Sequence, residues 1–572
     1  MVTALPSQQR RLSLQAVDIA PATRTIRSLD WDRDRFDIEF GLKNGTTYNS
    51  FLIRGDKIAL IDTSHEKFRE SYLPLLQSEV DLSQLDYLLI SHTEPDHSGL
   101  VRDILQLAPQ VTVVGSKVAL QFLENLVHLP FPKQVVKNGD QLDLGQGHIL
   151  EFVIAPNLHW PDTMFTYDHQ TGILFTCDAF GMHYCDNSVF DHNLALIEED
   201  FRFYYDCLMA PNARSVLSAM KRMDELPTIS TIATGHGPLL RHHLSDLTGR
   251  YRSWSQAQTK GETTVAVFYV SDYGYSDRLS QAIAKGITKA GVAVEMRDLK
   301  SADPQDVREL VEHSAGLVVS TPPTSSMVAQ TAVGTVLAVA HSKQMIGLVA
   351  SCGDDDEPID PLLTRFTDVG LSPAFPAIRA QGIPTPATYQ TCEEAGTDLA
   401  QRLTKAKTIQ QMKSLDSDLD KALGRLSGGL YIITAQRQQA KSAMLASWVA
   451  QASFSPPGIT IAVAKDRAIE SFMHIGDPFV LNILAEGQHL KLMKHFLKWF
   501  PPGADRFEGV KTYPADNQGI ILAEALAYLE CQVVSRMEAS DHWIVYATVQ
   551  TGNISNPDGL TATHHRKVGN HY

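Results

Sequence analysis

Four apolar runs in the chain each stop at side chains able to hold a metal. LDYLLI is followed by SHTEPDHSG, which supplies His92, Glu94, Asp96 and His97; HILEFVIAP leads to His159; GILFT leads to Asp178; TISTIA leads to Gly235 and His236. Short apolar runs bounded by polar turns predict buried strands. Seven ligand-type residues are therefore expected on one rim of a sheet, where α/β folds keep their sites. The spacing His92-x-Glu94-x-Asp96-His97 lets alternate residues of an extended loop converge on one centre while the next histidine reaches a second. That is the spacing of a metal site, and it leaves the metal open. His65, His183 and His313 read as ordinary satisfied histidines.

A chain of 572 residues is long enough for several domains. Hydrophobic residues at 44% and charged residues at 20% fit an ordinary globular protein. The formal net charge of −15 argues against nucleic acid as the main partner, because a phosphate-binding surface needs clustered Lys and Arg. The start, MVTALPSQQRRLSLQ, lacks the apolar centre of a signal peptide, and no stretch approaches the ~18 unbroken apolar residues of a membrane span. A cytoplasmic protein with no integral membrane segment is expected. The six cysteines show no CxxC spacing and read as reduced thiols.

Three composition shifts divide the chain. Residues 1–258 alternate β-rich runs such as TYNSFLI, KIALID and QVTVVG with amphipathic stretches. Residues 259–407 show regular βα alternation, from TTVAVFYV through AGLVV and MIGLVA to a helix near 392–405, which predicts a doubly wound parallel sheet. A polar helical segment, KAKTIQQMKSLDSDLDKAL, bridges to residues 408–572, where GGLYIITA, GITIAVAK, PFVLNIL, LAYLECQVV and HWIVYATVQ predict a barrel.

H-x-E-x-D-H, with His159 in APNLHWPDT, Asp178 in LFTCDAFG and His236 in TGHGP, resembles the metallo-β-lactamase-like αβ/βα domain of flavodiiron proteins. Relatives of that fold that hydrolyse substrates on zinc generally carry a second histidine where this chain has Glu94. A hard, anionic oxygen ligand there favours iron. By the resemblance, His92, Glu94 and His159 hold one iron, Asp96, His97 and His236 hold the other, and Asp178 bridges them. Trp160, Tyr184 and His183 are candidates for orienting the imidazoles, so His183 carries two readings.

SDYGYSD follows TTVAVFYV and runs into a helix, a turn of hydroxyl and backbone N–H groups suited to phosphate. It resembles the phosphate loop of flavodoxins. STPPTSS and ASCGDDDE follow AGLVV and MIGLVA, where flavodoxins place the loops that flank the isoalloxazine ring. By that likeness Ser271, Tyr273, Gly274, Tyr275 and Ser276 hold the phosphate of FMN. Thr321, Pro322, Pro323, Thr324, Ser351, Cys352, Gly353 and Asp354 line its ring. Flavodoxins commonly stack an aromatic residue in the last loop; the acidic run found here instead disfavours an anionic reduced flavin.

Residues 408–572 resemble the split-barrel flavin reductase family. Ser442, Ala446, Ser447 and Ser453 are small enough to admit a second flavin, FMN or FAD, and Lys465 is suited to its phosphate. Asn482 and the tail His564, His565 and Arg566 are candidate flavin or nicotinamide contacts. No GxGxxG is present, so a nicotinamide would stack transiently on the flavin.

The whole chain thus resembles the fused flavodiiron proteins of cyanobacteria and other oxygenic phototrophs. The resemblance implies an oxidoreductase that passes electrons from NAD(P)H, or from another reduced donor such as a carrier protein, through flavin to two Fe ions that reduce dioxygen to water. It would act as a photoprotective electron sink. It also implies an oligomer, homo-dimer or hetero-oligomer with a related chain, in which a head-to-tail arrangement brings the FMN of one chain near the irons of the other. Other readings are reduction of nitric oxide at the same site, a zinc hydrolase of the metallo-β-lactamase class, and a partner subunit in a hetero-oligomer.

Overall fold

Two sheets face each other in the first part of the chain because its strands carry apolar residues on both sides and find cover on both. The computed structural model describes residues 11–36, 40–259, 263–270, 275–300, 302, 304–321, 333–352, 360–414 and 418–565. The chain divides into two compact units, Met1–Gly261 with Val294–Asp303, and Glu262–Ala293 with Pro304–Tyr572.

In the first unit a seven-stranded sheet runs in the order Leu12–Ala20, Thr23–Asp30, Thr46–Arg54, Ile58–Ile61, Leu85–Ile90, Thr112–Gly115, Lys133–Val135. Its first four strands pair antiparallel and the later ones parallel. A five-stranded sheet follows in the order Gln141–Asp143, Ile149–Ile154, Met164–Asp168, Ile173–Cys177, Thr231–Thr234, antiparallel except for its last pair. Phe51, Ile61 and Leu89 of the first sheet join Phe152, Met164 and Phe175 of the second in one buried cluster. Each sheet buries its other face under helices, with Tyr72, Leu76 and Leu120 on the first and Phe201, Met220 and Tyr251 on the second. The result is the expected αβ/βα sandwich, and all four ligand-bearing strand ends belong to it.

In the second unit Thr264–Tyr269, Gly316–Thr321 and Met345–Cys352 pair parallel, and Ile378–Gln381 adds to the last of these. The barrel region forms a seven-stranded antiparallel sheet in the order Ala440–Ala446, Tyr431–Arg437, Pro478–Ile483, Ala527–Ala539, His542–Ile554, Pro457–Ala464, Val449–Phe454. Ile433, Ile461, Phe479, Val533 and Val545 fill its interior.

Most of residues 259–407 and all of 408–572 belong to this unit. The helix expected near 392–405 instead runs over Pro386–Ser414. It packs against the helix Tyr275–Lys289 through paired glycines. A Cβ on Gly286 would lie 2.0 Å from the carbonyl oxygen of Glu393, and one on Gly396 would lie 2.0 Å from that of Ile283. Only glycine lets the two backbones approach this closely. Gly396→Ala is therefore expected to destabilise the unit by about 1–3 kcal/mol, as overpacking does. A urea transition with an unshifted midpoint would show the helices to be less closely apposed.

Candidate metal centre

The strand Leu85–Ile90 ends one residue before Ser91, whose N–H is taken by the buried Asp62 carboxylate at 2.8 Å. The chain then turns, and Pro95 opens a single helical turn, Pro95–Ser98, that brings Asp96 and His97 round beside His92 and Glu94. The other strand ends deliver His159, Asp178 and His236 to the same place. The ligand atoms of His92, Glu94, His159 and Asp178 lie within 4.8 Å of one another, and so do those of Asp96, His97 and His236. All seven residues predicted from the sequence are thus brought together, in two adjoining groups.

Asp178 joins the groups. Its Oδ2 lies 3.5 Å from His92 Nε2 and 3.3 Å from His159 Nε2, while its Oδ1 lies 3.0 Å from His97 Nε2 and 3.3 Å from His236 Nε2. Glu94 Oε2 completes the first group at 3.0 Å from His159 Nε2. Asp96 completes the second, with Oδ2 at 3.3 Å from His236 Nε2. A third, overlapping set adds the buried Cys177 thiol to His97 and Asp178, a contact that the reading of Cys177 as a plain reduced thiol did not anticipate.

Charge balance in this pocket calls for cations. Burial alone would strip protons from the imidazoles, yet Asp178 and Glu94 outweigh it and raise His159 to about 10, and Asp178 with Asp96 raises His236 to about 10. Burial and the Asp96 charge push Glu94 upward, but His159 and His92 hold it down to about 2. Protons are here standing where metal ions bind, since metals compete for the same lone pairs. His92 Nε2, His97 Nδ1, Asp96 Oδ1 and Asp178 Oδ2 are buried with no hydrogen-bond partner among the described residues. Buried polar atoms are rarely left so, and a pair of metal ions fits the donor set of four imidazoles and three carboxylates.

The groups that aim these ligands were mostly invisible in the sequence. Asp162 accepts from His92 Nδ1 at 3.0 Å and from the N–H of Thr93 at 2.8 Å, turning His92 Nε2 inward. His236 Nδ1 bonds the carbonyl of Thr47 at 2.7 Å, and the Asn49 amide donates to the carbonyls of Thr234 and Gly237 at 2.9 and 3.0 Å. Gly235 leaves room for the ring of His97, whose Cε1 would lie 2.7 Å from any Cβ there. Tyr204 donates to Asp178 Oδ1 at 3.0 Å. Among the expected orienting groups, Trp160 stands edge-on to His92 with ring centroids 5.1 Å apart. His183, in the loop after Gly181, is buried 4.6 Å from the His236 ring and bonded to Thr46 Oγ1 at 2.7 Å. Tyr184 packs against the helical core instead.

The flavin candidates lie in the second unit. Tyr275 and Ser276 open the helix Tyr275–Lys289, Thr321 ends its strand, and Ser351 and Cys352 end the neighbouring one. All stand at the carboxyl edge of one parallel sheet. Ser271, Tyr273, Gly274, Pro322, Pro323, Thr324, Gly353, Asp354 and Arg566 lie outside the described residues. In the barrel, Ser442 and Ser447 have buried hydroxyls with no partner among the described residues. Ser453 bonds the carbonyl of Pro456 at 2.7 Å, Lys465 pairs with Glu538, and the Asn482 amide is spent on the barrel, accepting from the N–H of Leu522 at 2.8 Å. His564 pairs in a short ladder with Gly428.

The profile of the ODP family beta lactamase matches residues 46–237, and that of the flavin reductase like domain matches residues 423–570. The chain is 66% identical over 571 residues to diflavin flavoprotein A 1 of Synechocystis sp., covering 100% of both. It is 63% identical to a putative diflavin flavoprotein A 1 of Thermosynechococcus vestitus, again over 100% of both. A metal-soaked Flv1 flavodiiron core from Synechocystis sp. is 41% identical, with a TM-score of 0.66 over 69% of this chain and 99% of that one. The chain belongs to the flavodiiron family of diflavin flavoproteins. As a flavodiiron protein it is an oxidoreductase that transfers electrons from flavin to a diiron centre. Among the described residues of this flavodiiron protein, no helix is long and apolar enough to cross a membrane.

Asp162→Asn tests the aiming of His92. The exchange keeps the shape but weakens the hold on Nδ1, and metal affinity is expected to fall about 10–100-fold. Chelator competition with the purified variant measures it; unchanged affinity would make Asp162 a loop brace only.

Proposed function

We propose that this chain takes electrons from NAD(P)H at the barrel, carries them through a second flavin, FMN or FAD, and then FMN, and uses two irons to reduce dioxygen to water. The observation that carries the reading is the Asp178 carboxylate, which turns one oxygen to each ligand group. By the family resemblance His92, Glu94 and His159 hold one iron, Asp96, His97 and His236 the other, with Asp178 between. Two ferrous ions side by side supply two electrons to one acceptor, and dioxygen needs four electrons and four protons to become two waters. Two NAD(P)H, each giving two electrons, balance one dioxygen.

The chain's own residues set the conditions. Tyr204 is kept protonated by burial beside Asp178, its pKa pushed well above the usual value, so its O–H stays a donor to Asp178 Oδ1. Trp160, Tyr204 and His183 wall the imidazoles and keep bulk water off them. The carboxyl edge of the parallel sheet supports FMN, because ligands of such folds bind there. The unpartnered hydroxyls of Ser442 and Ser447 support a flavin in the barrel. Cys177, Cys185, Cys207, Cys392 and Cys531 form no disulfide among the described residues, in keeping with a cytoplasmic setting. Three functional regions, 1–258, 259–407 and 408–572, and an oligomer with a second copy or a related chain complete the proposal.

Protein purified without added metal is expected to hold about two irons per chain. Zinc at both positions, with no gain of iron on anaerobic reconstitution, would favour a hydrolase instead. Protein prepared and reduced anaerobically, then given dioxygen or nitric oxide in separate runs, identifies the acceptor. Asp178→Asn is expected to empty or uncouple the pair and abolish dioxygen reduction while flavin content stays near normal. Full turnover in that variant would remove Asp178 from its bridging role.

A further inference from the structure

The helix Pro386–Ser414 shows polar residues on both of its long sides, and each side has a different partner. Towards the helix Tyr275–Lys289, Glu393 is clasped by Lys289 and by Lys285, the latter at 3.0 Å. Burial pushes Glu393 up, but the two ammonium groups outweigh it and hold it down to about 2. On the other side, Glu394, Asp398 and Gln401 recur at spacings of three and four, one stripe of a helix. All three bond the barrel region. Glu394 Oε1 meets Arg506 at 3.0 Å, and its Oε2 accepts from the N–H of Gly503 at 3.2 Å. Trp499 Nε1 donates to Asp398 Oδ1 at 2.9 Å, and the Gln401 amide donates to Asp466 Oδ2 at 2.8 Å.

These contacts differ from those of a tethered domain touching its neighbour. The Glu394 and Arg506 side chains are only 8% and 15% exposed, and charges so far removed from water are retained only when paired. Separation of the barrel would leave both unpaired. The stripe also begins close to the start of its helix, which follows the strand Ile378–Gln381 at the carboxyl edge of the parallel sheet.

We propose that this stripe is a permanent docking surface, which fixes the flavin reductase-like barrel on the flavodoxin-like sheet of the same chain, so that electrons delivered at the barrel pass to that chain's own FMN rather than leaving on free flavin. This rests on the reading of both regions as flavin sites. In the balance, one NAD(P)H would give a hydride to the barrel flavin, which takes one proton from solvent, and that reduced flavin would return to its oxidised form as two electrons and two protons pass to FMN.

The test uses the full chain with Glu394→Arg, Arg506→Glu, the two combined, and the milder Trp499→Phe, which removes the N–H given to Asp398 together with part of the ring. Hydrogen exchange across residues 386–402 and 468–506 reports docking. Each charge reversal is expected to raise exchange there at least about tenfold, as loss of a buried pair opens a local unit. Trp499→Phe should move it less and the combined variant should restore it. In parallel, NAD(P)H-driven dioxygen consumption should fall in the single reversals and recover in the combined variant, with NAD(P)H reduction of added FMN unchanged throughout. Exchange that does not rise overturns the docking surface. Raised exchange with full dioxygen consumption overturns the route through it. Unaltered protein that cannot reduce added FMN overturns the flavin reading and the route together, and the exchange measurement still decides the docking.

Discussion

Asp178 is a carboxylate shut away from water with four imidazole nitrogens within 3.5 Å. A buried anion of this kind survives only with positive charge around it, and it organises the whole centre. Its two oxygens divide the histidines into two groups. Glu94 and Asp96 then complete one group each. The two sheets of the first unit serve this arrangement, because Asp178 and His236 follow adjacent parallel strands of one sheet while His92 to His97 follow a strand of the other. The inter-sheet core of Phe51, Leu89, Phe152 and Phe175 holds those strand ends at a fixed separation.

The seven ligands were legible in the sequence because each stands directly after an apolar run, so the hydrophobic pattern that marks the strand also marks the rim. The residues that aim them carry no such mark. Thr47 and Asn49 lie within a buried strand and hold the His236 loop through bonds that span most of the first unit's sequence. Asp162 carries a fainter signal, a carboxylate three residues past His159 in the turn between two strands, where it can accept from nearby N–H groups. Tyr204 ends the helix Leu194–Tyr204 between Phe203 and Tyr205, where an aromatic residue reads as core.

The organisation of the second half was legible in kind but not in its joints. The βα alternation and the barrel strands both form. The helix expected near 392–405 read only as the last of the βα alternation, because a stripe of Glu, Asp and Gln facing water has the same spacing as one facing another surface. Glu394 and Asp398 find their partners more than a hundred positions further along, and sequence pattern alone does not reveal what a polar face meets. The two glycines between the helices are different. Gly286 and Gly396 lie in otherwise good helical sequence, a local conflict that signals close backbone contact.

The split of the ligands along the chain has a consequence for biosynthesis. His92, Glu94, Asp96 and His97 leave the ribosome together, but His159, Asp178 and finally His236 follow only as the second sheet is made. At ordinary rates of synthesis the interval from His97 to His236 is on the order of ten seconds. Throughout that interval the nascent chain displays an incomplete cluster of imidazoles and carboxylates, open to whichever divalent ion the cell has to spare.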